Sequence, residues 1–65
     1  MKVKFYFLDT KCDYTFSHVV MLKLNVYLEK WILYQRFEGG KYKFRFFDYS
    51  TTLLLEVVND VAFRR

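Results

Sequence analysis

The chain has 65 residues, a formal net charge of +4 and one cysteine, so we expect a single small domain, residues 1–65, without an intrachain disulfide or a cysteine-rich zinc site. It is 54% hydrophobic and 28% charged, which excludes a disordered chain. Eight Phe, six Tyr and one Trp make fifteen aromatic residues. Because a domain this small buries only about 60% of the surface of its unfolded chain, we expect some rings to contact a second copy, another protein or a nucleic acid.

The first predicted element is a strand over residues 2–8, because apolar and polar residues alternate there. The two faces of this strand differ in polarity: one carries Val3, Phe5 and Phe7, and the other carries Lys2, Lys4 and Tyr6. The polar residues 9–13 predict a loop after the strand.

A second strand is predicted over residues 14–26, followed by a bend near residues 28–30. Seven of the eight even positions from 14 to 28 are apolar or aromatic, and this alternation directs His18 toward the core. The alternative is a helix that begins at Ser17 and ends before Gly39. The sequence does not decide whether residues 18–37 form a strand or a helix. A helix there would have apolar residues on nearly all sides, without a polar face.

Gly39 and Gly40 predict a two-residue hairpin turn between strands 30–37 and 41–48. With Glu38 opposite Lys41, the numbers of opposing residues sum to 79. The core side of the hairpin then pairs Phe37 with Tyr42, Gln35 with Phe44, and Leu33 with Phe46. The other side pairs Arg36 with Lys43, Tyr34 with Arg45, and Ile32 with Phe47.

The last predicted element is a helix over about 51–63, with Ser50 as its N-cap and branched apolar residues at helical spacing. Residues 53–58 are also compatible with a strand, but Asn59 and Asp60 favour the helix. The predicted fold class is therefore α+β. It is an antiparallel sheet of three or four strands (about 2–8, 14–26, 30–37, 41–48) with the C-terminal helix packed on one face.

One helix covers one face of a sheet, so the other face is the predicted binding surface. The partner-binding candidates are Tyr6, Met21, Tyr27, Tyr34 and Phe47 on that face, together with Trp31 near the end of the core face. The basic residues of the uncovered face form a predicted anion or nucleic-acid patch of Lys2, Lys4, Arg36, Lys43 and Arg45. Arg36 opposite Lys43 is a costly like-charge pair that an acidic partner or phosphate would neutralise. Solubility and protection of a sheet edge are the alternative explanations.

Residues suited to catalysis are few, and we expect no enzyme activity, cofactor, metal or small-molecule substrate. His18 is the only histidine, and Cys12 with Asp13 lacks any sign of an oxyanion hole. Asp9 and Asp13 are two carboxylates in a polar loop, where solvation is the usual state. Gly39-Gly40 lacks the spacing of a phosphate-binding loop.

These observations predict a small non-enzymatic protein-interaction module that forms a homodimer and binds and inhibits or modulates a larger protein. A composition rich in Phe, Tyr and Lys and poor in Gly, Ala and Pro is typical of AT-rich genes, which points to a phage or mobile element and a host protein as target. Residues 19–33 carry charges that argue against a membrane span, so we expect a soluble cytoplasmic protein. The alternative is a small basic nucleic-acid-binding protein that uses the uncovered sheet face.

Overall fold

Six strands in two antiparallel sheets make up residues 1–59, the part of the chain that the computed structural model describes. The strands are β1 (Lys2–Phe7), β2 (Cys12–Phe16), β3 (Val19–Asn25), β4 (Lys30–Arg36), β5 (Tyr42–Asp48) and β6 (Thr52–Val58). The first sheet has the order β2-β1-β6 and the second has the order β3-β4-β5. β1, β4 and β5 lie where strands were predicted.

The core lies between the two sheets. Val3 and Phe5 of β1 and Leu33 of β4 are fully buried. The Phe5 ring centroid lies 5.7 Å from that of Trp31 on β4 and 5.5 Å from that of Phe47 on β5. The second sheet therefore covers the apolar face of β1, where a C-terminal helix was predicted.

The predicted α+β fold class is wrong, because the described residues form an all-β structure of two three-stranded sheets. Residues 52–58 of the predicted C-terminal helix, 51–63, form β6 instead, and residues 60–63 lie outside the described part. β6 pairs antiparallel with β1, from Lys2 opposite Val58 to Phe7 opposite Thr52. The open edge of β1 offers this leucine- and valine-rich segment a backbone ladder, and β-branched residues favour a strand. No helix within residues 1–59 has the length and apolar character needed to cross a membrane.

The predicted strand 14–26 is interrupted at residues 17–18, where the chain passes from the first sheet to the second. His18 has a positive φ of 59° and is exposed, so its predicted core-facing orientation is wrong. Phe16 before the corner and Val19 after it are both buried. The inward position is thus even at Phe16 and odd at Val19, because the chain turns between sheets. A register shift between Val19 and Met21 then returns the inward side of β3 to even positions, with Leu22 opposite the buried Leu33.

The hairpin between β4 and β5 has a register one residue away from the predicted one. Residue numbers of opposing pairs sum to 78, as for Tyr34 opposite Phe44. The connection is a three-residue turn, Glu38–Gly40, in which both glycines have φ near +80°, and the Phe37 amide donates a hydrogen bond to the Lys41 carbonyl at 2.7 Å. A shift of one residue moves every side chain of a strand to the opposite face.

This register reverses the predicted faces of β5. The residues expected in the core face outward: Tyr42, Phe44 and Phe46. The residues expected on the uncovered side lie on the inner side of the sheet, on the same side as the buried Leu33 of β4: Lys43, Arg45 and Phe47. The predicted like-charge pair does not form, because Arg36 lies opposite Tyr42 and Lys43 lies opposite Gln35.

Candidate binding surface

The outer surface of the second sheet carries a patch of apolar side chains that we call the aromatic face. Its members are Met21, Ile32, Tyr34, Tyr42, Phe44 and Phe46. Cross-strand pairing builds it in rows, because directly opposite residues of antiparallel strands share a face. One row runs from Met21 through Tyr34 to Phe44, and the next pairs Ile32 with Phe46.

The rings of this face contact one another while remaining open to solvent. The centroid of Tyr34 lies 4.6 Å from that of Phe44 and 6.2 Å from that of Tyr42. Phe44 and Phe46 are stacked at 6.5 Å with 17° between their planes. Tyr42, Phe44 and Phe46 are 65%, 50% and 55% exposed. Contiguous exposed rings of this kind are typical of interaction surfaces.

Two cations stand on the same surface. Lys23 lies opposite Ile32, and Arg36 lies opposite Tyr42; both are exposed. Neither forms an ion pair within residues 1–59. Lys30, in the last cross-strand pair of β4 and β5, forms a salt bridge with Asp48. The aromatic face is therefore apolar in its centre and positive at its margin.

The six predicted partner-binding residues are distributed over several surfaces. Met21 and Tyr34 belong to the aromatic face, whereas Trp31 and Phe47 are half-buried against the core. Tyr6 is half-buried on the outer face of the first sheet, opposite Asp13 and Leu53. Tyr27 lies in the turn between β3 and β4 and is 99% exposed.

The predicted basic patch is dispersed as well. Lys2 and Lys4 are on the outer face of the first sheet, and the Lys4 ammonium lies 3.9 Å from the Asp13 carboxylate. Arg36 is on the aromatic face of the second sheet, and Lys43 is exposed on the opposite side of that sheet. These four residues do not form one continuous surface.

Arg45, the fifth member, is held by contacts inside the protein. Its Nε donates a hydrogen bond of 2.8 Å to Oε1 of Gln35, and its guanidinium lies 5.1 Å from the centroid of the Phe16 ring. Gln35 is buried, and its Nε2 donates to the Ser17 carbonyl at 2.8 Å. This network joins β5, β4 and the corner at residues 17–18, which gives Arg45 a structural role.

Sequence reasoning assigned Tyr42, Phe44 and Phe46 to the core and so missed the most exposed rings of the aromatic face. Both faces of β5 carry a phenylalanine, Phe46 on one and Phe47 on the other. Alternation predicts the strand and favours the more apolar face, with Tyr42, Phe44 and Phe46, as the core side, whereas the structure turns the other face inward. The double glycine permits a hairpin turn of either two or three residues. The sequence contains no signal that distinguishes these two turn lengths.

The remaining candidate sites are the thiol, the histidine, possible metal ligands and one open cleft. Cys12 Sγ lies 3.1 Å from Thr10 Oγ1, and His18 Nδ1 lies 3.0 Å from Ser17 Oγ. Within the described range, no three His, Cys, Asp or Glu side chains lie close enough to hold a metal. An open cleft of about 410 Å³ between the β3–β4 turn and the end of β5 is lined by Leu24, Val26, Glu29 and Tyr49.

Comparisons of this chain with protein-family models, with curated protein sequences and with solved structures found no match.

Proposed function

We propose that the protein is a non-enzymatic interaction module that acts as a homodimer and binds and inhibits or modulates a larger protein through the aromatic face. The observation that carries the proposal is the row of exposed, mutually contacting rings at Tyr34, Tyr42, Phe44 and Phe46. The composition supports a phage or mobile-element origin, with action in the cytoplasm of the host.

Aromatic residues on strands suit this role for two physical reasons. Each ring supplies a large apolar area with only two side-chain torsions to immobilise, so little conformational entropy is lost on binding. The neighbouring rings at 4.6 to 6.5 Å already restrict one another before a partner arrives. Tyrosine and arginine are enriched among residues that dominate interface energies, and Arg36 lies beside Tyr42.

The charge of the aromatic face indicates the chemistry of its partner. Lys23 and Arg36 are exposed at its margin without an acidic partner in residues 1–59. A complementary surface has an apolar centre, to receive the rings, and carboxylates at its rim. Such charge complementarity contributes mainly to specificity and association rate.

The test compares partner capture by variants of the aromatic face with capture by a matched variant elsewhere. Phe44→Ala combined with Phe46→Ala removes two rings at its centre. Tyr14→Ala removes a ring of similar exposure, 58%, from β2 in the first sheet. We expect affinity for a protein captured by the wild type from host lysate to fall at least a hundredfold, or about 2.7 kcal/mol, in the double variant.

Tyr14→Ala should change that affinity by less than about threefold, since rings outside the contact contribute little. Isothermal titration with the purified partner measures both values, and circular dichroism checks that each variant is folded. A partner that binds the double variant as tightly as the wild type would contradict the proposed site.

A second candidate function is binding of single-stranded nucleic acid, favoured by the outward orientation of Tyr42, Phe44 and Phe46. Exposed rings on a sheet stack on bases, and Arg36 and Lys23 stand on the same surface. In that case the wild type would bind a fluorescent oligonucleotide at low salt, and its affinity would fall steeply as salt increases. Lack of binding at low salt would leave the protein-partner function alone.

A further inference from the structure

We propose that β6 is the dimer interface: its open edge pairs antiparallel with β6 of a second copy across a two-fold axis. The two first sheets then join into one sheet of six strands, in the order β2-β1-β6 followed by its symmetric counterpart. This inference rests on the homodimer of the proposed function and adds the surface through which it forms.

The first argument is the edge itself. β6 lies at the end of its sheet and bonds to β1 on one side, while no strand of residues 1–59 lies on its other side. Seven consecutive residues, Thr52–Val58, therefore present the outward half of a backbone ladder. Such an edge is a template for another strand, and pairing with one satisfies its N–H and C=O groups.

The second argument is composition, because the other three edge strands carry protective features. β3 has Lys23 near its middle, and the backbone of its first residue, Val19, exchanges two hydrogen bonds with Met1. β5 carries three charged residues, and β2 is only five residues long and contains Asp13.

β6, in contrast, has five leucines and valines and neither Lys nor Pro. Its single charge, Glu56, lies opposite Lys4 of β1. Charged residues, lysine above all, and proline are the usual means by which sheet edges avoid association. β6 has neither lysine nor proline; it carries one acidic residue, Glu56, and a register shift at Leu55, and its other side chains from 53 to 58 are apolar.

The third argument is that the core is open at this edge. Leu54 lies opposite Phe5, and Val57 lies opposite Val3; both partners on β1 are fully buried. Leu54 and Val57 are nevertheless 37% and 46% exposed, and the main contacts of β6 are with β1.

A two-fold axis perpendicular to the sheet keeps the inner faces of both copies on the same side. Each copy would then supply its Leu54 and Val57 to cover those of the other. The complementary occupant must be a strand with apolar side chains on both faces, and β6 itself meets this description. The hydrophobic core is also small, since only five apolar side chains of residues 1–59 are buried in this 65-residue chain. Proteins with so small a core are often stabilised by oligomerisation.

The test uses a pair of matched valine variants on edge strands. Val58→Lys places a charge on β6 at a residue that is 42% exposed, and Val20→Lys does the same on β3 at a residue that is 54% exposed. We expect sedimentation equilibrium to give a dimer dissociation constant at least tenfold higher for Val58→Lys than for the wild type. Val20→Lys should keep the wild-type constant, and circular dichroism checks that both are folded.

A second measurement locates the strand pairing even if the lysine variant fails to fold. In a Cys12→Ser background, single cysteines at positions 53 to 58 are oxidised mildly and the disulfide-linked dimer is quantified. Directly opposed residues of antiparallel strands have Cα atoms about 4.5 to 5.5 Å apart, within the reach of a disulfide. We expect one maximum of cross-linking along β6 and none for Val20→Cys.

The outcomes separate this inference from the proposed function. A wild-type dimer that neither dissociates in Val58→Lys nor cross-links through β6 would overturn the interface and leave the homodimer standing. A wild type that is monomeric at every micromolar concentration would overturn both the interface and the homodimer. In either case binding of a partner by the aromatic face is measured independently, with the Phe44 and Phe46 variant.

Discussion

Gln35 is the buried polar side chain that ties the two halves of the molecule together. It accepts a hydrogen bond from Arg45 Nε and donates one to the Ser17 carbonyl at the corner between β2 and β3. A buried amide is tolerated only when it is hydrogen-bonded, and both bonds here are 2.8 Å long. The corner at residues 17–18 therefore depends on a residue of β4 that is distant in sequence.

Gln35→Ala should lower the free energy of unfolding by about 2 kcal/mol, since it removes both hydrogen bonds and leaves the partly buried Ser17 carbonyl without its donor. Lys43→Ala, at the exposed cross-strand neighbour of Gln35, should change it by less than about 0.5 kcal/mol. Urea denaturation at one fixed protein concentration measures both. Equal effects of the two variants would argue against a structural role for the network.

At the scale of the element, β5 illustrates how a turn determines which side of a strand is used. The turn Glu38–Gly40 contains two glycines at positive φ, where a Cβ would meet no atom within 4 Å. Glycine is favoured there by backbone conformation, since other residues rarely adopt a positive φ. A turn one residue shorter would exchange the two faces of the strand and turn Tyr42, Phe44 and Phe46 inward.

The adjacent phenylalanines of β5 test this register directly. The ring centroid of Phe47 lies 5.5 Å from that of Phe5 and 5.2 Å from that of Phe7, whereas the Phe46 side is open to solvent, with Phe46 55% exposed. Phe47→Ala should lower the free energy of unfolding by about 3 kcal/mol. Phe46→Ala should lower it by no more than about 1 kcal/mol, because Phe46 is half exposed. Both variants lose the same strand propensity, so the difference in their urea midpoints reports packing. The predicted pairing, with residue numbers summing to 79, requires the opposite order.

The alternation of residues allowed three strands to be predicted, and it explains where prediction ended. In β1 one face is strongly apolar and the other basic, so both the strand and its inward face, with Val3 and Phe5, were predicted. In β5 the more apolar face, with Tyr42, Phe44 and Phe46, points outward, so the same rule predicted the inward face of this strand wrongly. For the candidate site, Tyr34 and Met21 were identified by sequence, but the rings of β5 were not.

At the scale of the whole molecule, the two sheets bury little of the apolar surface that the chain offers. Five apolar residues are buried among residues 1–59, while most of the aromatic face and residues 53–58 of β6 are exposed or half-buried. The exposed surfaces lie on different sheets, so a dimer through β6 leaves the aromatic face available to a partner. The fold is therefore compatible with simultaneous self-association and partner binding.

If dimerisation supplements this small core, the melting temperature should rise with protein concentration, because mass action favours the folded dimer. We expect a clear increase for the wild type over about a hundredfold range of concentration, and a smaller one for Val58→Lys. Differential scanning calorimetry measures the dependence. A melting temperature independent of concentration would indicate that each chain is stable without its copy.

The sequence by itself determined the local features of this protein: a β1 strand with one apolar face, a hairpin at Gly39 and Gly40, and no disulfide. Only the tertiary structure decided that the chain changes sheets at residues 17–18, that residues 52–58 extend along β1 as a strand, and that Phe47 faces inward. The reason is that these features depend on contacts between distant segments, β1 with β6 and β1 with β5. Local alternation sets the period of side chains, whereas the covering sheet decides which of them are buried.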